Sequence, residues 1–460
     1  MGDEPKARGT SAVYLTFAVV VLGAAAGSLS QTSVSAMLTD IMPEFGMSVE
    51  VGQWFTTSYM LVLGITVPVV TFLVKRFSVR QHVVLALSVF FVGALVSLLS
   101  TNFWMMLVGR VLQAVAAGML LPLMQTIAMT DFPPGRQATA MGVAGIALGF
   151  APNIGPTVGG AMSYAWGWRS FFIMLMIWAA VLIVAILVVA KPAEPRDRTA
   201  RLDVFSLTLS ALGFGGLLLG FSNASSYALT SPFIWVPIVV GALFLAWFVL
   251  RQRRLEHPLI DMGIFRSRQY VHGFVVQNFL NASFMGVTLI IPLYIENLCG
   301  GTSLEAGMVL LPGTVTALVM NPLSGWLTDR IGIRPVAVVG GLFLVTGATL
   351  MSFLDAETPL YVVMICQGIR AVGTSSLIAP LTSWSLAKLP RPIVTDGSSF
   401  CTAARQACAS FGTSMMVFIL TMVLASAVGA ANPSIAYQAA FGFSAVTALA
   451  TFLLCVAWVR

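Results

Sequence analysis

Three arginines lie inside otherwise apolar stretches: Arg110, Arg370 and Arg405. A charge held in hydrocarbon is costly, so each marks a candidate functional position. Arg110 and Gln113 stand three residues apart and share a helical face, with Gln125 further along the same stretch. Arg405 lies within two turns of a stretch end, where a guanidinium snorkels to water. Of the 17 acids, none falls clearly in the middle of a stretch. A proton carrier needs a group that titrates as it is alternately buried and wetted, which arginine does not do. The nearest carboxylates are Asp40 and Glu44 at the end of the first stretch and Glu296 at the end of the ninth, so Asp40 and Glu296 are the proton-coupling candidates.

A cavity holding Arg110 and Arg370 without a carboxylate is neutral to positive. It suits neutral, zwitterionic or anionic amphiphiles better than lipophilic cations. Gln31, Gln113, Gln125, Asn153, Asn278, Asn281 and Gln367 are candidates to line it with hydrogen-bonding groups, and Trp54, Tyr59, Phe279 and Phe284 with apolar and stacking surface. The five cysteines and three histidines are scattered, with neither disulfide nor metal spacing. No nucleophile–base, His-Glu-x-x-His or paired-carboxylate arrangement points to an enzyme. No P-loop points to ATP, and no cofactor is implied.

The elements that must position these side chains follow from composition. The chain is 58% hydrophobic and 9% charged, against about 25% charge in soluble proteins. Fourteen apolar runs recur, near 13–38, 51–74, 82–100, 103–129, 138–163, 169–190, 203–221, 232–250, 270–295, 304–328, 335–354, 358–385, 397–428 and 437–459. In hydrocarbon the backbone must satisfy itself, so these runs are helices of an all-α polytopic membrane protein. The first run follows a short polar tail without a small-residue cleavage site and reads as a retained helix. With both termini in the cytoplasm, 20 of the 24 Lys and Arg fall inside and only Arg169 falls outside, as the positive-inside rule requires. Orientation therefore accounts for the net charge of +7, and no nucleic-acid partner is needed.

Two internal echoes divide the chain. TFLVKRFSVRQ (71–81) and GWLTDRIGIRP (325–335) are basic turns that match at Arg76 with Arg330 and Arg80 with Arg334. GRVLQAVAAGMLLPLMQ and QGIRAVGTSSLIAPLTS each carry an arginine, then small residues, then Leu and Pro. Repeated halves are a transporter signature, with the site between them. The expected layout is a tail (1–12), a six-helix bundle (13–190), two extra helices with polar flanks (191–269) and a second six-helix bundle (270–460).

GVAGIALGFAPNIGPTVGGAM (142–162) holds six glycines and two prolines. Gly142, Gly145, Gly149, Pro152, Pro156, Gly159 and Gly160 step by three or four residues and are expected to share one helix face. Small residues let backbones approach closely in lipid, and the prolines bend the helix.

These motifs resemble the major facilitator superfamily, in its fourteen-span drug:proton antiporter branch of the lincomycin-resistance type. Gly155-Pro156 and Gly159-Gly160 match the fifth-span antiporter motif. Arg110 and Gln113 match the fourth-span motif. Gly325, Asp329, Arg330, Gly332 and Arg334 match the basic turn. The resemblance implies a major facilitator fold in a bacterial cytoplasmic membrane, and alternating-access efflux of small amphiphiles, as in antibiotic resistance, in exchange for protons. It gives Arg110 a part in coupling or substrate contact, makes the fifth span pair across the two bundles, and makes the turn a gate. A monomer is expected. Two positions depart from the pattern. Ser30 stands where the branch has a first-span Asp, and Thr71, Lys75 and Ser78 stand where the first turn has Gly, Asp and Gly. An uncoupled facilitator, an uptake carrier or a lipid transporter on the same fold is the alternative.

Overall fold

The computed structural model describes residues 10–190, 203–223, 231–256 and 258–459. The start of the N-terminal tail and the polar flank at 191–202 lie outside the described residues.

Fourteen spans succeed one another: α1 (Thr10–Phe45), α2 (Trp54–Thr66 with Val69–Arg76), α3 (Val79–Leu98), α4 (Phe103–Thr130), α5 (Gln137–Trp166), α6 (Arg169–Val189), α7 (Val204–Asn223), α8 (Pro232–Gln252), α9 (Arg268–Leu298), α10 (Ser303–Ile331), α11 (Ile333–Met351), α12 (Leu360–Ala387), α13 (Val394–Leu424) and α14 (Ser434–Trp458). Thirteen are continuous helices long and apolar enough to cross a membrane, and α2 is a pair bent by 52°. The bend falls at Val67-Pro68, where proline lacks the N–H that would continue the helix. Helix α1 runs on to Phe45, beyond the apolar run that ends near 38, so Asp40 and Glu44 occupy its last turns.

Helices α1–α6 pack on one another, as do α9–α14. Helices α7 and α8 pair closely, and α7 also lies against α2 and α13. The two six-helix sets meet along α5 with α10 and α12, and along α13 with α2 and α4. The turns α2–α3 and α10–α11 lie at the same end as the α4–α5, α8–α9 and α12–α13 connections. We call it the basic end, because Lys75, Arg76, Arg80, Arg136, Arg330, Arg334, Lys388 and Arg391 cluster there.

Local signals fix the helix starts. Ser78 caps α3 in a reciprocal box with Gln81, Asn102 caps α4 at Met105 N, and Thr302 caps α10 with Glu305. Gly332, at φ +82°, turns the chain from α10 into α11.

The glycine-rich α5 is not one straight face. Its residues Ile146–Phe150 form a π-helical turn, with Ala151 N–H bonded to Ile146 O. This wide turn precedes Pro152, whose ring and missing N–H disfavour an α-helical bond at that point. The extra residue rotates the second half of the helix by about 100°. Gly142, Gly145 and Gly149 therefore face α10, whereas Gly155 and Gly159 face α1. Gly160 meets only Ala36, at ordinary contact distance.

Candidate functional site

Arg110 is fully buried in the first bundle. Its Nη1 donates to Ser30 Oγ (2.7 Å) and Gln113 Oε1 (2.9 Å), and its Nε donates to Phe55 O (3.4 Å). Ser30 Oγ in turn donates to Gln113 Oε1 (3.1 Å). The guanidinium lies 4.3 Å from the Tyr59 ring centroid, and the Tyr59 hydroxyl donates to Gly27 O (2.7 Å). Gly27 is required there because a Cβ would lie 2.6 Å from Ala117 Cβ. The cluster ties α1, α2 and α4 together without a carboxylate. Ser30 takes the place at which a counter-charge would stand.

Arg370 is also fully buried, but it borders a cavity. Its Nε donates to Gln367 Oε1 (3.0 Å), Phe284 lies 5.9 Å away, and Nη1 has no partner. Beside it lies a cavity of about 10 Å³, room for about one water. Gly149 and Asn153 of α5 line one side. Phe284 of α9, Gly313 of α10, and Gln367, Arg370 and Thr374 of α12 line the other. The structure thus brings together Asn153, Gln367 and Arg370 between the two bundles.

The remaining candidates are dispersed. Gln31 is buried on α1, and Gln125 Oε1 accepts a long bond from Thr402 (3.5 Å) where α4 meets α13. Asn278 and Asn281 donate to Phe274 O and Gln277 O of their own helix. Trp54 (44% exposed) and Phe279 line neither cluster. Asp40 is exposed and accepts the Ser163 hydroxyl, and Glu296 is exposed in the last turn of α9. Arg405 is 8% exposed, with Nε unpartnered. Helix α13 starts at Val394, so Arg405 stands three turns in, too deep to snorkel.

One acid escaped the sequence reading. Asp396, in the first turn of α13, is 1% exposed, the one buried acid among the described residues. Its Oδ2 accepts Asp261 N–H (2.9 Å), its Oδ1 has no partner, and Lys75 attracts its charge. An acid in a first helical turn is favoured by the helix dipole, which was the available signal.

The bundles join at the basic end. Asp329 accepts Ala138 N–H (3.2 Å), Thr139 N–H (2.7 Å) and the Thr139 hydroxyl (2.6 Å), capping the start of α5 from the end of α10. Arg330 stacks on Trp326 (4.4 Å) and Arg334 is exposed. A Cβ on Gly142 would lie 2.6 Å from Asn321 O, and one on Gly145 2.7 Å from the Asn321 side chain. Across α4 and α13, Thr126 bonds Thr395 and Ser398 (3.3 Å each). Among the described residues, the hydrogen bonds between the two six-helix sets all lie in this half of the molecule.

Known proteins share this frame. Residues 20–413 match the family model of the Major Facilitator Superfamily. The uncharacterized MFS-type transporter YcnB of Bacillus subtilis strain 168 is 33% identical over 441 residues, covering 95% of this chain and 93% of that protein. The lincomycin resistance protein LmrB of Listeria monocytogenes serovar 1/2a is 30% identical over 451 residues, 94% of each. The multidrug resistance protein B homolog of Mycobacterium tuberculosis is 27% identical over 414 residues, 88% of this chain and 76% of that protein. Among solved structures, the human organic anion transporter MFSD10 superposes with a TM-score of 0.67 at 15% identity, over 98% of this chain and 100% of its own. The proton:xylose symporter XylE does so with 0.66 at 15% identity, over 96% and 95%. These two likenesses speak to the fold alone. Fourteen packed spans, a match across most of the length and relatives of this coverage agree that the chain belongs to the major facilitator superfamily of transporters.

Proposed function

We propose that this transporter exports small amphiphilic compounds across the plasma membrane by alternating access, in exchange for protons. The observation that carries this reading is the seam, a small polar and aromatic cavity between two bundles latched together at one end. Relatives named for lincomycin and multidrug resistance support drug-like cargo. By the positive-inside rule the basic end and both termini face the cytoplasm. The conformer is then closed toward the cytoplasm. Release of Asp329 from α5 lets the bundles part there, with the glycine contact of α5 on α10 as the pivot. The cavity is built from one chain, so a monomer suffices.

Asp40 and Glu296 are the first proton carriers to test, with Arg110 as a fixed charge that tunes the first bundle. The test places purified protein in liposomes with a trapped pH dye and an imposed proton gradient. A lincosamide, a cationic dye and an anionic amphiphile are added in parallel. Substrate-evoked proton flux above empty liposomes supports antiport. If Asp40→Asn and Glu296→Gln both leave gradient-driven transport intact, neither is the carrier. A second reading, an uncoupled facilitator, is favoured by one observation: Ser30 holds Arg110 where an acid would stand. Solute movement without proton flux selects it.

A further inference from the structure

The interior of this chain holds three guanidinium groups, Arg110, Arg370 and Arg405, each at least nine-tenths buried. None has a carboxylate partner among the described residues. A buried charge is ordinarily paired, because desolvation without compensation is expensive. Arg110 is held by three hydrogen bonds and an aromatic face, although its Nη2 has no partner, and Arg405 leaves its Nε unpartnered. Arg370 makes one side-chain hydrogen bond, leaves Nη1 unpartnered, and is the one of the three that borders the cavity at the seam.

We propose that Arg370 is the docking point for a carboxylate carried by the transported amphiphile, so that the cargo supplies the counter-charge the protein lacks. This deepens the exporter reading and rests on it. The planar guanidinium fork matches a carboxylate, and the stem of Arg370 is oriented by Gln367. Asn153 stands across the cavity and Thr374 one turn along α12 from Arg370 as further hydrogen-bonding groups, and Phe284 offers its ring to the apolar body of the ligand. Gly149 lines the α5 side of the cavity and packs against Asn321, where a Cβ would come within 3.0 Å of Asn321 Nδ2. Two bundles contribute to one site, so its occupation is coupled to their separation. With no interior acid beside it, the site repels an ammonium group.

Three ligands that share one ring system test this: 1-pyrenebutyrate, 1-pyrenebutanol and 1-pyrenebutylammonium. Binding to the full-length protein in lipid nanodiscs is followed by pyrene anisotropy, with protein-free nanodiscs subtracted. The wild type is expected to bind the carboxylate at least about tenfold tighter than the alcohol, and the ammonium most weakly. Arg370→Gln is expected to remove the preference for the carboxylate. Arg370→Lys, which keeps the charge but not the fork, is expected to retain part of it and serves if the first variant does not fold. Equal binding of carboxylate and ammonium, or an undiminished preference in a folded Arg370 variant, overturns the proposal. Proteoliposome flux of the same ligands separates the two readings. A carboxylate preference without movement sinks the exporter and keeps the site. Movement without a carboxylate preference keeps the exporter and sinks the site.

Discussion

The first six spans and the last six carry matching parts finished in opposite ways. Arg110 on α4 and Arg370 on α12 stand at corresponding places. The first is enclosed by Ser30, Gln113, Phe55 and Tyr59, whereas the second is held by Gln367 alone and opens on the seam. The basic turns differ as well. Asp329, on the α10–α11 turn, caps the first turn of α5. The matching residue of the α2–α3 turn is Lys75, and the acid appears instead on the helix it faces, as Asp396 in the first turn of α13. The repeat thus preserves where the two bundles touch. It does not preserve which partner carries which charge, because a turn acid against a helix start and a turn base against a helix acid both place opposite charges together.

The largest effect is expected at the arginines. Arg110→Gln removes hydrogen bonds from a charged donor to three acceptors, each worth about 1.5–3 kcal/mol, and relieves an unpartnered Nη2, so a net loss of about 3 kcal/mol is expected. Arg370→Gln removes one such bond and relieves an unpartnered buried donor, so about 1 kcal/mol or less is expected. Thermal or denaturant melts in nanodiscs that fall equally for both variants would break the comparison.

Next comes the latch. Asp329→Ala removes three acceptor contacts from the start of α5. We expect the bundles to part more often at the basic end, by at least about tenfold, the equivalent of 1.4 kcal/mol. Labelling of a cysteine placed at Ala138 by a membrane-impermeant maleimide, with the native cysteines replaced, reads this out. Asp329→Asn keeps an acceptor and is expected to fall between. An unchanged labelling rate would mean that the glycine contact alone closes the seam.

That contact provides a smaller and more local test. Gly142→Ala places a methyl 2.6 Å from Asn321 O, backbone that cannot step aside. Overpacking of this kind costs about 1–3 kcal/mol. Gly160→Ala meets Ala36 Cβ at 3.8 Å and is expected to be silent in both stability and transport. Equal losses at the two positions would show that α5 needs glycine for its own bending rather than for its neighbours.

These residues also mark how far the sequence could be read. The fourteen spans were legible because hydrocarbon leaves a long apolar run no choice but helix. The close approach of α5 was legible in its small residues. Its division between α10 and α1 was not, since one π-helical turn before Pro152 rotates the second half away from the first. Nothing local in NPLSGW announces that Asn321 fills the notch of Gly142, Gly145 and Gly149. Asp396 was lost because the thirteenth apolar run begins just after it, at 397. Helix α13 begins at Val394 and draws that charge inside. The same three residues carry Arg405 beyond snorkelling reach. Exposure of Asp40 and Glu296 is a tertiary fact that no periodicity encodes.

The smallest effect concerns Lys75 and is the most specific to the comparison. Lys75 is exposed, so its attraction for Asp396 is screened and weak by itself. Lys75→Ala is therefore expected to change maleimide access at the basic end less than Asp329→Ala does. Lys75→Asp restores the residue type of the other turn, but sets it against an acid with one oxygen already unpartnered. Like charges should push α2 from α13 and loosen the end more than Lys75→Ala. Adding Asp396→Asn should undo that excess, because a neutral amide at the start of α13 no longer repels the new acid. If Lys75→Asp instead tightens the end by itself, as an acid capping α13 in the manner of Asp329 on α5, then the two turns are interchangeable and the exchange of charges is incidental. If the double variant stays as loose as Lys75→Asp alone, repulsion from Asp396 is not what drives the bundles apart, and the pairing read between turn and helix fails.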